Sequence, residues 1–276
     1  MLNKKLLNAA VATALLAGFG GTYAQAADDF AISGNVALTS DYRFRGISQS
    51  DEDPAIQGGF DASFEPGFYL GTWASSIDFG DAAEGSYSTV EVDYYGGWRG
   101  PIGDSDFGVD VGYAYYDYPG STVDPEGDYQ EFYVKTSWTS LVFGLAYSDD
   151  YYAETGEFWY LSGDYSYKFI DNLALGLHVG YNITEQTEID RNGNLTDGGF
   201  LSCLPDSNGG INGSVDSNGG FSCDTEEYTD YSISLTYSVV GVDLTLAYVG
   251  TDLDEEEVFG TEWADPVAVF TIKKVF

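Results

Sequence analysis

The sequence predicts an all-β fold: a transmembrane, antiparallel, up-and-down β-barrel of about twelve strands. Three observations lead there. Apolar and polar residues alternate along most of the chain, the period of a strand whose successive side chains face opposite sides. The alternating segments run to about ten residues, the length a tilted strand needs to cross a bilayer. The connections between them are short turns and long acidic excursions in alternation, as in a barrel with one plain rim and one elaborated rim.

The elements follow in order. Lys4 and Lys5 precede an apolar run from Leu6 to Gly21, and Ala24-Gln25-Ala26 supplies small residues at the cleavage-site positions. Residues 1–26 therefore read as a secretory signal peptide, and residues 27–276 as one barrel domain with a long Gly/Asn-rich loop at 186–226. The full chain has 10 basic and 45 acidic residues. Removing the leader takes two of the basic ones and leaves eight against 45, a formal charge of −37. That charge argues against nucleic acid as a partner, which needs clustered Lys and Arg. An aromatic content of 16% is too high for a solvated acidic coil. No stretch after the leader approaches the roughly 18 apolar residues of a spanning helix, so a chain of this kind placed in a membrane must cross it with strands.

In "NVALTSDYRFRGISQS", Asn35 to Ser50, a single strand would turn Val36, Leu38, Tyr42 and Phe44 to lipid and Asp41, Arg43 and Arg45 to the lumen. The alternation is cleanest later. Trp159, Leu161, Tyr165, Tyr167 and Phe169 share one face, and so do Leu173, Leu175, Leu177, Val179, Tyr181 and Ile183. Ile233, Leu235 and Tyr237 make another such row, as do Leu244, Leu246 and Tyr248. Short turns are expected at Glu65-Pro66-Gly67, Gly100 to Asp104, Thr139-Ser140, Asp171-Asn172 and Val240-Gly241. Long acidic loops are expected at Asp51 to Pro54, Gly80 to Tyr87, Pro119 to Asp128, Tyr152 to Glu157, Glu185 to Glu227 and Thr251 to Asp265. A soluble barrel or sandwich is the competing reading, disfavoured by strand length, alternating loop lengths and the C-terminal Phe276.

Strand parity points Asp41, Arg43, Arg45, Asp61, Glu91, Asp93, Arg99, Lys135, Asp164, Lys168 and His178 into the lumen, where they are the candidate pore-lining residues; Asp110, Glu131 and Asp243 share that face. Turning a basic one to the bilayer midplane would cost about 2 to 4 kcal/mol. Mutually paired charges that fill the barrel would give the same pattern as a conducting lumen. A catalytic reading has little support, because the one histidine, His178, lacks a G-x-S-x-G partner. No cofactor or resident metal is expected. The stretch "DRNGNLTD", Asp190 to Asp197, spaces oxygen ligands as calcium loops do but has Leu195 where such a loop needs glycine. Cys203 and Cys223 are the two cysteines of an exported chain, which favours one disulfide over free thiols. They share their loop with two "DSNGG" repeats, Asp206 to Gly210 and Asp216 to Gly220.

"SGNVALTSDYRFRGISQSDEDPAIQGGFD", Ser33 to Asp61, with "GFYLGTWASSID" and "VEVDYYGGW" after it, resembles the TorF-type porin family, a set of little-characterised bacterial outer-membrane proteins. The resemblance covers the first third of the chain. It implies a barrel in the bacterial outer membrane, in contact with lipid and lipopolysaccharide, and a porin role. Lys274 departs from the apolar residue usual third from the end of such barrels. On this reading the chain passes small hydrophilic solutes with a preference for cations, owing to its acidic rims. The alternative is a non-conducting barrel that acts through its acidic loops.

Overall fold

The computed structural model describes residues 30–79, 88–122, 127–184, 187–189, 214–215, 221–223, 227–253, 258 and 261–276. Twelve antiparallel strands form a closed barrel: β1 (Phe30–Thr39), β2 (Ala55–Phe64), β3 (Phe68–Ser76), β4 (Val90–Pro101), β5 (Phe107–Asp117), β6 (Tyr129–Trp138), β7 (Leu141–Ser148), β8 (Phe158–Ile170), β9 (Leu173–Thr184), β10 (Tyr228–Val239), β11 (Val242–Thr251) and β12 (Val267–Val275). Each pairs with its sequence neighbours, and β12 returns to β1 with Thr39 opposite Thr271 and Asn35 opposite Val275. Reciprocal backbone hydrogen bonds between Gly34 and Phe276, 2.8 and 2.9 Å, finish the seam. With every strand paired on both sides, no backbone edge is left to lipid.

The expected strand count is borne out, and the faces of β8 to β12 fall as parity predicts. Outward residues such as Ile32, Phe60, Phe169, Val179 and Leu246 are all exposed and form an apolar exterior. Acids such as Glu91, Asp93, Glu131 and Asp230 are at most 3% exposed inside. This inside-out distribution excludes the soluble barrel, since no aqueous protein exposes so much contiguous apolar surface.

The five short turns lie at one rim. At Val240-Gly241 both residues take positive φ, 52° and 70°, which suits the tight reversal of a two-residue hairpin. The strand before the second turn persists through Pro101, so that turn spans Ile102 to Asp106 and begins later than expected. Inside the barrel, large residues on one strand sit over glycines on the next. A Cβ at Gly71 would lie 2.5 Å from the Tyr95 ring, and one at Gly112 would strike Tyr133.

The first loop departs most from expectation. β1 stops at Thr39, and the loop begins at Ser40 instead of Asp51. Residues Arg43–Phe44 and Ile47–Ser48 pair as a small hairpin folded into the lumen. Arg45 (φ 48°) and Gly46 (φ 85°) reverse the chain, and a Cβ at Gly46 would collide with Thr251. Tyr42 and Phe44 therefore do not face lipid: Tyr42 is 7% exposed and packs on Trp73, and Phe44 meets Tyr116. The alternation continues through this segment because an aromatic barrel wall replaces lipid as the apolar surface.

The leader at residues 1–26, the calcium-like stretch Asp190–Asp197, Cys203 and both DSNGG repeats lie outside the described residues, as does the side chain of Cys223.

Candidate functional site

The hairpin divides the lumen at the end nearest the long loops. Arg45 reaches across to the wall opposite β1, where its guanidinium lies 2.6 Å from Glu131 on β6. Aromatic rings surround it, with centroids of Tyr160 at 4.3 Å and of Phe44 and Phe158 at 4.7 Å each. Such cation–π contacts are strongest where water is excluded, and Arg45 is 4% exposed.

Arg43 faces the loops. Its Nε is 2.5 Å from Asp41, its Nη2 is 2.9 Å from Glu52, and its Nη1 donates to the carbonyls of Gly46, Trp263 and Asp265. The rigid guanidinium fork thus joins the first loop to the sixth. Ser48 N donates to Trp263 O at 2.9 Å, and Trp263 Nε1 donates to Asp51 at 2.7 Å. Asp41 also accepts from Ser48 and Ser50. Tyr42 completes the anchoring by donating to Glu91 on β4 at 3.0 Å. Removing one partner from a buried ion pair such as Arg45–Glu131 strands the other charge and costs about 3 to 5 kcal/mol.

The walls differ by sector. From β2 to β8 the inward positions carry aromatic and charged groups in contact. Tyr95 donates to Asp61 at 2.6 Å, and Tyr69 is 2.5 Å from Asp110 and 2.6 Å from Tyr133. Arg99 lies 4.8 Å from the Tyr69 centroid, and Lys135 5.3 Å from that of Tyr133. Glu91 and Asp93 stand side by side on β4 beneath Tyr42. His178 on β9 lies between two carboxylates, with Nδ1 2.8 Å from Asp164 and Nε2 2.9 Å from Asp230. Asp230 accepts further bonds from Tyr160 and Asn182. From β10 round to β1 the inward residues between Asp230 toward one rim and Asp243 and Lys273 toward the other are small: Ser232, Ser234, Thr236, Thr245, Ala247, Val249, Val269, Thr271, Ala37 and Thr39.

The structure brings Asp41, Arg43 and Arg45 together on the hairpin. Asp61, Glu91, Asp93, Arg99, Lys135, Asp164 and His178 sit on the wall. Lys168 is apart: its side chain is 62% exposed at the short-turn rim, 3.9 Å from Asp171. Three contributors escaped the sequence reading. Asp230 holds His178. Trp263 buckles the hairpin. Lys273 is the inward lysine of β12, in register with Asp243, whereas Lys274 points outward. Parity counted back from outward Ile272 and Phe270 would have found Lys273; nothing local marks Trp263.

Residues 23–199 match the model of a family described as a bacterial protein of unknown function, Gcw_chp. The chain belongs to the Gcw_chp family. No curated protein matches it by sequence. Among solved structures it is similar to the KdgM porin, at 9% identity with 88% of this chain and 96% of that one covered and a TM-score of 0.49. It is also similar to the NanC porin, at 12% identity with 89% and 98% covered and a TM-score of 0.48. The Acinetobacter baumannii outer-membrane protein Omp33 matches at 10% identity, with 90% and 97% covered and a TM-score of 0.43. These are likenesses of fold. This Gcw_chp chain is a closed twelve-stranded β-barrel whose outer face is apolar and whose inner face is polar, the arrangement with which strands cross a bilayer.

Proposed function

We propose that this Gcw_chp protein is a diffusion channel for small hydrophilic solutes, with its long loops outside the cell and a preference for cations. The observation that carries the reading is a lumen lined from rim to rim by polar and charged side chains within an apolar exterior. The cation preference comes from the rim. Among the described residues of the long loops, the basic ones are Arg43 and Arg45, both paired, while Asp53, Asp149, Asp150 and Asp252 are exposed acids that turn their charge toward solvent. The TorF-type resemblance of Ser33 to Asp61 supports the same role. His178, held by two carboxylates, is a wall brace and not a general base. The KdgM porin has been solved in complex with oligogalacturonate; the acidic rim here favours solutes of the opposite charge.

The test is conductance of the purified protein in a planar bilayer under a salt gradient. The reversal potential should show cation preference, which shrinks between about 0.1 and 1 M salt as the Debye length falls from about 10 to 3 Å. A second reading, a barrel that does not conduct and acts through its loops, is favoured by the hairpin seated on Glu131. Absence of conductance in folded protein would establish it over the first.

A further inference from the structure

The two arginines of the hairpin meet different kinds of partner. Arg43 is tied to groups of the first and sixth loops: Asp41, Glu52 and the carbonyls of Gly46, Trp263 and Asp265. Arg45 is held by the wall. Its Nη2 lies 2.6 Å from Glu131 Oε1, and its guanidinium carbon stands 4.3 Å from the centroid of Tyr160, 4.7 Å from that of Phe158 and 5.6 Å from that of Tyr151. Of the rings around it only Phe44 belongs to the hairpin.

Each of these wall groups is also fixed by contacts that do not involve the hairpin. Tyr116 donates to Glu131 Oε2 at 3.0 Å, which leaves Oε1 for a cation. The Tyr160 hydroxyl is 2.9 Å from His178 Nε2 and 3.2 Å from Asp230 Oδ1, so the ring is held from behind. Phe158 stacks on Tyr151 with centroids 4.0 Å apart and planes at 11°, and Tyr151 meets Tyr129 edge-on at 4.7 Å. The receiving side of the contact is therefore formed by the barrel and its fourth loop alone.

We propose that Glu131, Tyr160, Phe158 and Tyr151 form a binding site for a guanidinium-type organic cation, that Arg45 fills it as a tethered occupant, and that a free cation of that class and the hairpin exclude one another. A carboxylate with one open oxygen beside flat aromatic faces suits a flat, weakly hydrated cation: the fork engages the carboxylate while the rings cover its faces. A sodium ion has neither fork nor face and gains little there. The surrounding charge favours the same ligand. Glu91 and Asp93 are buried on β4, and Asp93 Oδ1 meets no donor among the described residues, so this sector adds negative potential to that of Glu131. Arg43 keeps the hairpin attached to the loops when Arg45 leaves its seat. The site requires no current through the barrel and stands apart from the channel reading.

Chemical rescue tests it. Arg45→Ala empties the site without altering its wall groups, and methylguanidinium chloride is compared with sodium chloride at equal ionic strength on the full barrel in lipid vesicles. In methylguanidinium the folded-to-unfolded ratio of this variant, read by urea titration, should rise saturably, by about tenfold when the ligand reaches ten times its Kd. Adding Glu131→Gln or Tyr160→Leu to Arg45→Ala should abolish the rescue. The unsubstituted barrel, whose own arginine holds the seat at high effective concentration, should show no such rise. Equal effects of the two salts on Arg45→Ala, or rescue that survives loss of Glu131, overturn the site. A rise in the unsubstituted barrel as large as in the variant overturns Arg45 as its occupant. If Arg45→Ala does not fold alone, its refolding yield in the two salts gives the same comparison, and equal yields overturn the proposal.

Discussion

The two halves of the barrel wall share strand length, alternation and an apolar exterior, yet their interiors differ in kind. From β2 to β8 the lumenal positions hold Tyr95 on Asp61, Tyr69 on Asp110 and Glu131 on Arg45. From β10 to β1 they hold a row of threonines, serines and alanines. The lipid-facing pattern constrains both halves equally, so the difference reflects demands made inside. One half receives the hairpin's aromatic and arginine side chains, and the other meets its backbone, with Gly46 against Thr251 and the Asp41 carbonyl against Thr39.

If that division is real, disturbing the receiving half should matter most. Glu131→Gln leaves Arg45 buried without a counter-charge, and should destabilise the barrel or expel the hairpin at a cost of about 3 to 5 kcal/mol. Urea titration in lipid vesicles reads the first outcome, and a rise in conductance reads the second. If neither changes, Glu131 is not the anchor.

Gly46→Ala comes next. It forces a residue with a Cβ into φ 85° against Thr251 and should cost about 1 to 3 kcal/mol. Protease sensitivity of the first loop in intact vesicles should increase with it. Tyr42→Phe removes only the hydroxyl donated to Glu91 and should cost about 1.5 to 3 kcal/mol, since the acceptor is a carboxylate. The smallest effect belongs to the small-residue half: Thr236→Val loses its bond to Thr245 and should change stability by about 0.5 to 1.5 kcal/mol. A Thr236 effect as large as that of Glu131 would erase the distinction between the walls.

The strands and short turns were legible because lipid imposes its pattern on every strand alike. Leu244, Leu246 and Tyr248 need no partner to announce their face; the bilayer is their common neighbour. The hairpin was not legible for the same reason reversed. Tyr42 and Phe44 continue the alternation of Val36 and Leu38, but their apolar neighbours are Trp73 and Tyr116, which only the closed barrel brings near. Arg45-Gly46 was the local sign of a reversal. The charges of the lumen could be assigned to a face by parity, but their partners could not. Arg45 and Glu131 are 86 positions apart, and His178 and Asp230 are 52 apart.

The buckle between Arg43 and the carbonyl of Trp263 spans 220 positions of sequence. It has a consequence for the order of assembly. The hairpin is among the first segments of the barrel to be made, and the residues that fasten it are among the last, just ahead of the strand that meets β1. Until that late segment arrives, the early one is held only on the side of Glu91 and Glu131, and the part of its ordering entropy that Trp263 repays is still outstanding. The last fastening of the hairpin and closing of the seam thus belong to one terminal event, and a nascent barrel waits with its interior half-secured until its final strand is delivered.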